Sequence, residues 1–129
     1  MILLDTHMLV WMLIEPEKLS AKAKKAIVTA RRAGPLAISA ISLWEIAWLV
    51  QNGRIETELG VELFVKRCAS YVEVLPITEA IAVRSVAFPK SYPADPQDRL
   101  IGATALVEGR RLLTQDRLIV KSGLVPLAG

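Results

Sequence analysis

Five short apolar runs, separated by segments with helical periodicity, constrain the fold of this chain more than any other feature. The first run, Ile2–Leu4, is too short for a buried helix and lacks the alternation of a strand with one exposed face. It therefore predicts a central parallel strand covered on both faces. The later runs predict further strands at 36–39, 72–75, 112–114 and 124–126, the last of them edge-like because it contains Pro126.

The segments between these runs have the residue patterns of helices. Ser20, Ser42 and Thr78 are typical N-cap residues, and Asn52-Gly53 is a typical helix end. The pattern predicts helices at 6–14, 20–32, 42–51, 58–70, 78–88, 97–108 and 117–121. Strands that alternate with helices at this spacing predict a parallel sheet with helices on both faces.

The length and apolar content of the chain bound its organisation. With 129 residues, 53% of them hydrophobic, we expect one domain over residues 1–129 with a core on both faces of the sheet. The longest stretch without a charged residue, Ala33–Trp44, is far shorter than the roughly 20 apolar residues of a membrane span. We therefore expect no membrane association, and the apolar excess favours a surface that binds a protein partner.

Cysteine usage and charge indicate the compartment and the class of partner. Cys68 is the single cysteine, so no intramolecular disulfide can form, and Asp5 interrupts any apolar leader at the start. Both features favour a cytoplasmic location. The net charge of +3 and a pI near 9.2 are compatible with a polyanionic partner, although the basic helix around Lys22–Arg32 is more typical of a solvated face.

Acidic residues follow several of the predicted strands, where parallel sheets form their ligand crevice. They are Asp5, Glu45, Asp95, Asp98 and Asp116. Two carboxylates about 4 Å apart repel by roughly 4 kcal/mol at an effective dielectric constant of 20, so such a cluster has raised pKa values or holds a cation. Carboxylates without a His or Cys pair favour Mg²⁺ or Mn²⁺ over zinc. These ions promote the hydrolysis of phosphodiesters.

Each acid also has a purely structural explanation, as a helix-capping residue. Asp5 and Asp116 could cap the following helices, Ser42–Glu45 has the pattern of a capping box, and Asp95-Pro96 is typical of a helix start. A non-enzymatic binding module with an acidic pocket therefore stays open. A haloacid-dehalogenase-like phosphatase also begins with an Asp after the first strand, but needs a second Asp where this chain has His7.

Four segments together resemble the PIN-domain proteins of the VapC toxin type, in order and at the right spacing: Ile2–His7, Ile38–Ala47, Asp95–Ala105 and Leu112–Asp116. The resemblance implies a three-layer α/β/α sandwich with a five-stranded parallel sheet. It also implies a Mg²⁺- or Mn²⁺-dependent endoribonuclease, the toxin of a toxin–antitoxin pair. The catalytic and metal-binding residues it implies are Asp5, Glu45, Asp98 and Asp116.

The resemblance assigns supporting roles as well. Thr6 and Thr114 match hydroxyl positions that orient a carboxylate or water, whereas Asp95 is an extra acid of this branch and is interpreted as a cap or supporting group. Arg99 either contacts phosphate or pairs with Asp95, while His7 is interpreted as a helix-start or packing residue.

The implied partners are an RNA substrate, a second copy in a homodimer, and an antitoxin in a heterotetramer or larger complex. Trp44 and Trp48 are compatible with such protein contacts, and the motifs do not encode which RNA is cleaved.

Overall fold

The computed structural model describes residues 1–129 and contains one parallel sheet. Its strands are β1 (Ile2–Leu4), β2 (Ala37–Ser39), β3 (Glu73–Leu75) and β4 (Arg111–Leu113), in the spatial order β3-β2-β1-β4. Leu3 of β1 pairs with Ala37 of β2 on one side and with Leu112 of β4 on the other. The predicted parallel α/β sheet is therefore confirmed, and β1 lies at its interior.

Seven α-helices connect and cover the strands. They are α1 (Thr6–Ile14), α2 (Ala21–Ala33), α3 (Ala40–Gln51), α4 (Val61–Ser70), α5 (Glu79–Val86), α6 (Pro96–Glu108) and α7 (Arg117–Ser122), with a 3-10 turn at Pro16–Lys18. The predicted caps Ser20 and Thr78 accept hydrogen bonds from the first turns of α2 and α5. None of the helices is long and apolar enough to cross a membrane.

Side chains of β1 alternate between two hydrophobic cores. Ile2 and Leu4 pack with residues of α1 to α4, including Ile46 and Phe64. Leu3 faces the opposite side, where the second core lies against α6 and α7. Burying such a side chain fully contributes about 1.5–3 kcal/mol, so a strand with no polar face is stable only between two helical layers. The three-layer α/β/α arrangement follows directly.

The predicted fifth strand is reduced to a single bridge, so the sheet has four strands. Leu127 pairs with Leu112, whose amide donates to the Pro126 carbonyl at 2.8 Å and whose carbonyl accepts from Ala128 at 2.9 Å. Proline has no N–H group to donate to a ladder, so the pairing begins at the Pro126 carbonyl and does not extend to Leu124 and Val125. The expectation of a strand at 124–126 was therefore wrong in position and extent.

Two predicted helix starts were also wrong. α3 begins at Ala40, because the Ser39 hydroxyl rather than Ser42 accepts the capping hydrogen bond, from the Ile41 amide at 3.2 Å. Ser42 is fully buried inside the helix, so the proposed Ser42–Glu45 capping box does not form. α4 begins at Val61 after Gly60 rather than at Glu58.

Candidate active site at the carboxyl edge of the sheet

A cavity of about 390 Å³ opens at the carboxyl edge of the sheet. It lies where β1, α3, the start of α6 and the segment after β4 meet. All five acids expected from the sequence line it, and the full lining is Asp5, His7, Met8, Trp11, Glu45, Asp95, Gln97, Asp98, Gln115 and Asp116. The prediction that acids from separate segments meet at this edge is confirmed.

Asp5 is held by hydrogen bonds to both of its carboxylate oxygens. Oδ1 accepts from the Thr6 amide at 2.8 Å, which makes Asp5 the N-cap of α1. Oδ2 accepts from the Thr114 hydroxyl at 2.7 Å, and Thr114 Oγ1 in turn accepts from the Asp116 amide at 3.0 Å. Thr114 therefore joins the ends of β1 and β4 and fixes the orientation of Asp5.

Glu45 reaches the cavity from the second turn of α3. The buried hydroxyls of Thr6 and Ser42 lie 2.8 Å apart and join the first turn of α1 to α3. Because unpaired hydroxyls are costly to bury, this hydrogen bond favours one arrangement of the two helices. Thr6 thus joins α1 to α3, and Glu45 lines the same cavity as Asp5.

Arg99 holds the loop that precedes α6. Its guanidinium donates to the carbonyls of Phe88 at 2.8 Å, Pro93 at 3.0 Å, Pro89 at 3.2 Å and Tyr92 at 3.4 Å. It forms no ion pair with Asp95, contrary to one of the two roles expected for it. Asp95 is exposed and occupies the N-cap position of α6 without a side-chain capping hydrogen bond.

Together with the four hydrogen bonds of Arg99, which form the Arg99 clamp, Tyr92 and Gly102 hold the loop before α6 in place. Sequence reasoning missed both of these residues. The Tyr92 hydroxyl donates to the Asp98 carbonyl at 3.1 Å, and its ring stacks on Phe88 with centroids 4.0 Å apart. A Cβ at Gly102 would overlap the Tyr92 hydroxyl and lie 3.0 Å from the Phe88 ring. Glycine inside a helix costs about 1 kcal/mol relative to alanine, so its presence in α6 was a signal of close packing.

Burial and mutual repulsion raise the pKa values of the acids. Burial, followed by repulsion from Asp5 and Asp116, raises the pKa of Asp98 from 3.8 to about 7. Burial is also the main cause of the raised pKa values of Asp5 and Glu45. The two ion pairs of the structure, Lys18–Glu15 and Arg110–Glu73, involve none of these carboxylates. No Lys or Arg side chain lines the cavity, so apart from the His7 imidazole, which lowers the pKa values of Asp5 and Glu45, no protein cation balances its carboxylates.

Asp116 has a structural role in addition to lining the cavity. Its Oδ1 accepts from the Leu118 amide at 2.9 Å and from the Ile119 amide at 3.1 Å, which makes it the N-cap of α7. The capping explanation considered for Asp5 and Asp116 is therefore correct, and it leaves room for a second role because each carboxylate also faces the cavity.

The donor set fits a hydrated hard cation better than a closed metal cage. No three acidic, His or Cys side chains converge closely enough to hold one ion together. Mg²⁺ retains several waters and uses one or two carboxylates directly, so separated oxygen donors around a polar cavity fit Mg²⁺ or Mn²⁺. Zinc is held mainly by His and Cys ligands, and this cavity offers one imidazole, His7, and no thiol, so zinc fits poorly.

Comparison with known proteins identifies the family. The family model of the PIN domain matches residues 2–121, so the chain belongs to the PIN-domain family. Within it, the chain is 43% identical over 116 residues to Ribonuclease VapC22 of Mycobacterium tuberculosis, with 90% of this chain and 87% of that protein covered. The family resemblance inferred from the four segments is confirmed, and the phosphatase alternative is no longer tenable.

Solved structures share the fold at lower identity. A toxin–antitoxin complex from Klebsiella pneumoniae contains a chain 24% identical, with a TM-score of 0.67 and 97% and 95% of the two chains covered. VapBC2 from Rickettsia felis, bound to a DNA fragment from its promoter, contains a chain 17% identical, with a TM-score of 0.74 and 98% and 97% covered. These likenesses confirm the PIN-like fold.

Proposed function

We propose that this chain is a Mg²⁺- or Mn²⁺-dependent endoribonuclease that acts as the toxin of a toxin–antitoxin pair. The observation that carries the proposal is the cavity lined by Asp5, Glu45, Asp98 and Asp116, from four separate segments, with no Lys or Arg side chain in its lining. The 43% identity to Ribonuclease VapC22 supports RNA as the substrate.

One or two of the four carboxylates would hold the ion directly and the others through its waters, and the surrounding residues keep these side chains in place. A bound divalent cation supplies Lewis acidity at the phosphate and lowers the pKa of the attacking water. Thr114 orients Asp5, the Thr6–Ser42 hydrogen bond sets α3 relative to α1, and the Arg99 clamp sets the start of α6. Without a cation, the carboxylates repel the phosphates of RNA, so the proposal requires metal for substrate approach as well as for chemistry.

We further propose that the chain acts in the cytoplasm as one domain, as a homodimer, and binds a cognate antitoxin in a heterotetramer or larger complex. Support comes from the toxin–antitoxin complexes among the similar structures. It also comes from large apolar side chains left exposed, among them Trp44 at 54% and Trp48 at 42%. Size-exclusion chromatography with light scattering of the purified chain tests the dimer, and a single monomer mass would contradict it.

Cleavage of end-labelled single-stranded RNA tests the nuclease proposal. The wild-type chain should cut internal phosphodiester bonds of the RNA in Mg²⁺ or Mn²⁺ and should not cut them in EDTA. Asp5→Asn or Asp98→Asn should lower the cleavage rate by at least about 100-fold. Glu108→Gln is the matched control, because Glu108 is an exposed acid at the opposite end of α6 from Asp98. Cleavage that persists in EDTA or in both Asn variants would overturn the proposal.

The non-enzymatic acidic-pocket module makes a different prediction. In that case the carboxylates serve only as caps, and Mg²⁺ leaves the melting temperature of the chain unchanged. A cation site in the folded state stabilises it by mass action, so the proposed enzyme should melt at a higher temperature as Mg²⁺ rises. The same titration on Asp98→Asn shows whether the shift arises in the cavity.

A further inference from the structure

One wall of the acidic cavity is aromatic. His7 and Trp11 lie one turn apart on α1, with ring centroids 5.6 Å apart and an interplanar angle of 51°. Both line the cavity together with the carboxylates. His7 is exposed and Trp11 is partly buried, so both rings remain accessible from the cavity. A π surface thus lies beside the groups that would hold the cation.

The Trp11 indole is fixed by its surroundings. It packs against the larger hydrophobic core, and the Lys18 ammonium lies 6.0 Å from its ring centroid while bound to Glu15 at 2.9 Å. Gln115, also in the cavity lining, donates to the Lys18 carbonyl at 3.3 Å and accepts from the Ser20 amide at 3.0 Å. An aromatic ring held in this way loses little conformational freedom when a flat ligand stacks on it.

No other aromatic side chain shares this position. Trp44 and Trp48 are exposed but do not line the cavity, and Phe88 and Tyr92 stack on each other beneath α6. A cation held by the carboxylates would bind the phosphate of a nucleotide, and nothing in that contact requires the base. The cavity volume of about 390 Å³ lies in the range of small-ligand sites, roughly 300–1,000 Å³, and leaves room for a base beside that phosphate.

We propose that Trp11 is a stacking site for one nucleobase of single-stranded RNA, adjacent to the phosphodiester at the cation site, and that the His7 ring, tilted by 51° to the indole, contacts the edge of that base. The identity of the polymer rests on the proposed function, whereas the stacking of a base on Trp11 does not. Single-stranded RNA is bound in many proteins by bases stacked on aromatic rings, a contact that tolerates any base. The site would therefore position a nucleotide without selecting its sequence.

Tryptophan fluorescence tests the stacking without relying on cleavage. The chain has three tryptophans, so Trp44→Phe with Trp48→Phe leaves Trp11 as the single reporter. In Mg²⁺, adenosine 5′-monophosphate should quench its emission, and ribose 5-phosphate, which lacks the base, should not. The matched reporter, Trp11→Phe with Trp44→Phe, retains only Trp48 and should respond to neither compound.

Affinity provides the second readout. Trp11→Ala should raise the dissociation constant for a fluorescent adenosine monophosphate about tenfold, equivalent to about 1.4 kcal/mol, and His7→Ala should raise it by a smaller factor. His7 is exposed, so His7→Ala keeps the test valid if Trp11→Ala fails to fold. Trp48→Ala is the control and should not change the affinity.

Two results would overturn the stacking site. One is equal quenching of Trp11 by the nucleotide and by ribose 5-phosphate, or quenching by neither. The other is an unchanged affinity in both His7→Ala and folded Trp11→Ala. If the wild-type chain does not cleave RNA but adenosine 5′-monophosphate still quenches Trp11, the result counts against the nuclease proposal alone. Failure of the stacking site and failure of the nuclease proposal are therefore distinguishable.

Discussion

The pKa of Asp98, raised to about 7, makes stability depend on pH in a defined direction. Because its ordinary value is 3.8, the folded chain binds a proton that the unfolded chain releases between pH 4 and 7. In EDTA, stability should therefore fall as pH rises through this range. Asp98→Asn should abolish the loss of stability that comes from this carboxylate. It should stabilise the chain at pH 8 by about 1–2 kcal/mol, which is less than the full pKa shift of Asp98 implies because the carboxylate is partly exposed.

Urea unfolding at pH 5 and pH 8 in EDTA measures this effect. Glu108→Gln serves as the control, since that exposed acid should leave the pH dependence unchanged. Equal stability of Asp98→Asn and the wild-type chain at pH 8 would show that neither burial nor repulsion destabilises the Asp98 carboxylate.

Thr114 allows a test of how Asp5 is oriented. Thr114→Val removes the hydroxyl that donates to Asp5 Oδ2 at 2.7 Å while keeping the shape of the side chain. A hydrogen bond to a charged group contributes about 1.5–3 kcal/mol, so RNA cleavage should fall about tenfold or more. Thr29→Val, on the exposed face of α2, should leave the rate unchanged, and an unchanged rate in Thr114→Val would contradict the positioning role.

The N-terminal part of α6 depends on a close fit with the loop before it. Gly102→Ala would place a Cβ against the Tyr92 hydroxyl, so we expect a loss of about 1–3 kcal/mol of stability, the usual cost of overpacking. Tyr92→Phe removes the overlapping hydroxyl and should recover part of that loss in the double variant. Thermal unfolding measures both.

Gly60 is the matched control for Gly102. It has no heavy atom within 4 Å of an added Cβ, and its φ of −67° suits any residue. Gly60→Ala should therefore unfold at nearly the wild-type temperature. A similar loss of stability in Gly60→Ala and Gly102→Ala would show that the close approach at Tyr92 is not the cause.

Element types were predictable here because each local pattern was unambiguous. A run such as Ile2–Leu4 has no polar face, and only a strand between two helical layers buries it. The exact first residue of α3 depended on which of two suitable N-cap residues caps the helix. Ser39 and Ser42 are both good N-caps, and the end of β2 at Ser39, which is set by tertiary pairing, decides between them. The start of α4 carries no capping signal, because its N-cap is Gly60, which has no side chain to accept a hydrogen bond.

At the scale of the whole molecule, the meeting of the acids was predictable and their surroundings were not. Parallel strands bring their carboxyl ends to one edge, so Asp5 and Asp116 had to be close. The Arg99 clamp and the contact between Tyr92 and Gly102 join residues whose proximity depends on the path of the loop before α6. The position of Trp11 at the cavity was equally unpredictable, because its place on the helix does not reveal whether the ring faces the core or the cavity.

The central claim is that these carboxylates form a divalent-cation site, and Mn²⁺ binding followed by electron paramagnetic resonance tests it most directly. The wild-type chain should bind Mn²⁺ at micromolar to millimolar concentrations, and Mg²⁺ should compete for the same site. Asp5→Asn and Asp98→Asn should lose the binding, and Glu108→Gln should retain it. Mn²⁺ binding of equal strength in all four proteins, or no binding in the wild-type chain, would contradict the account.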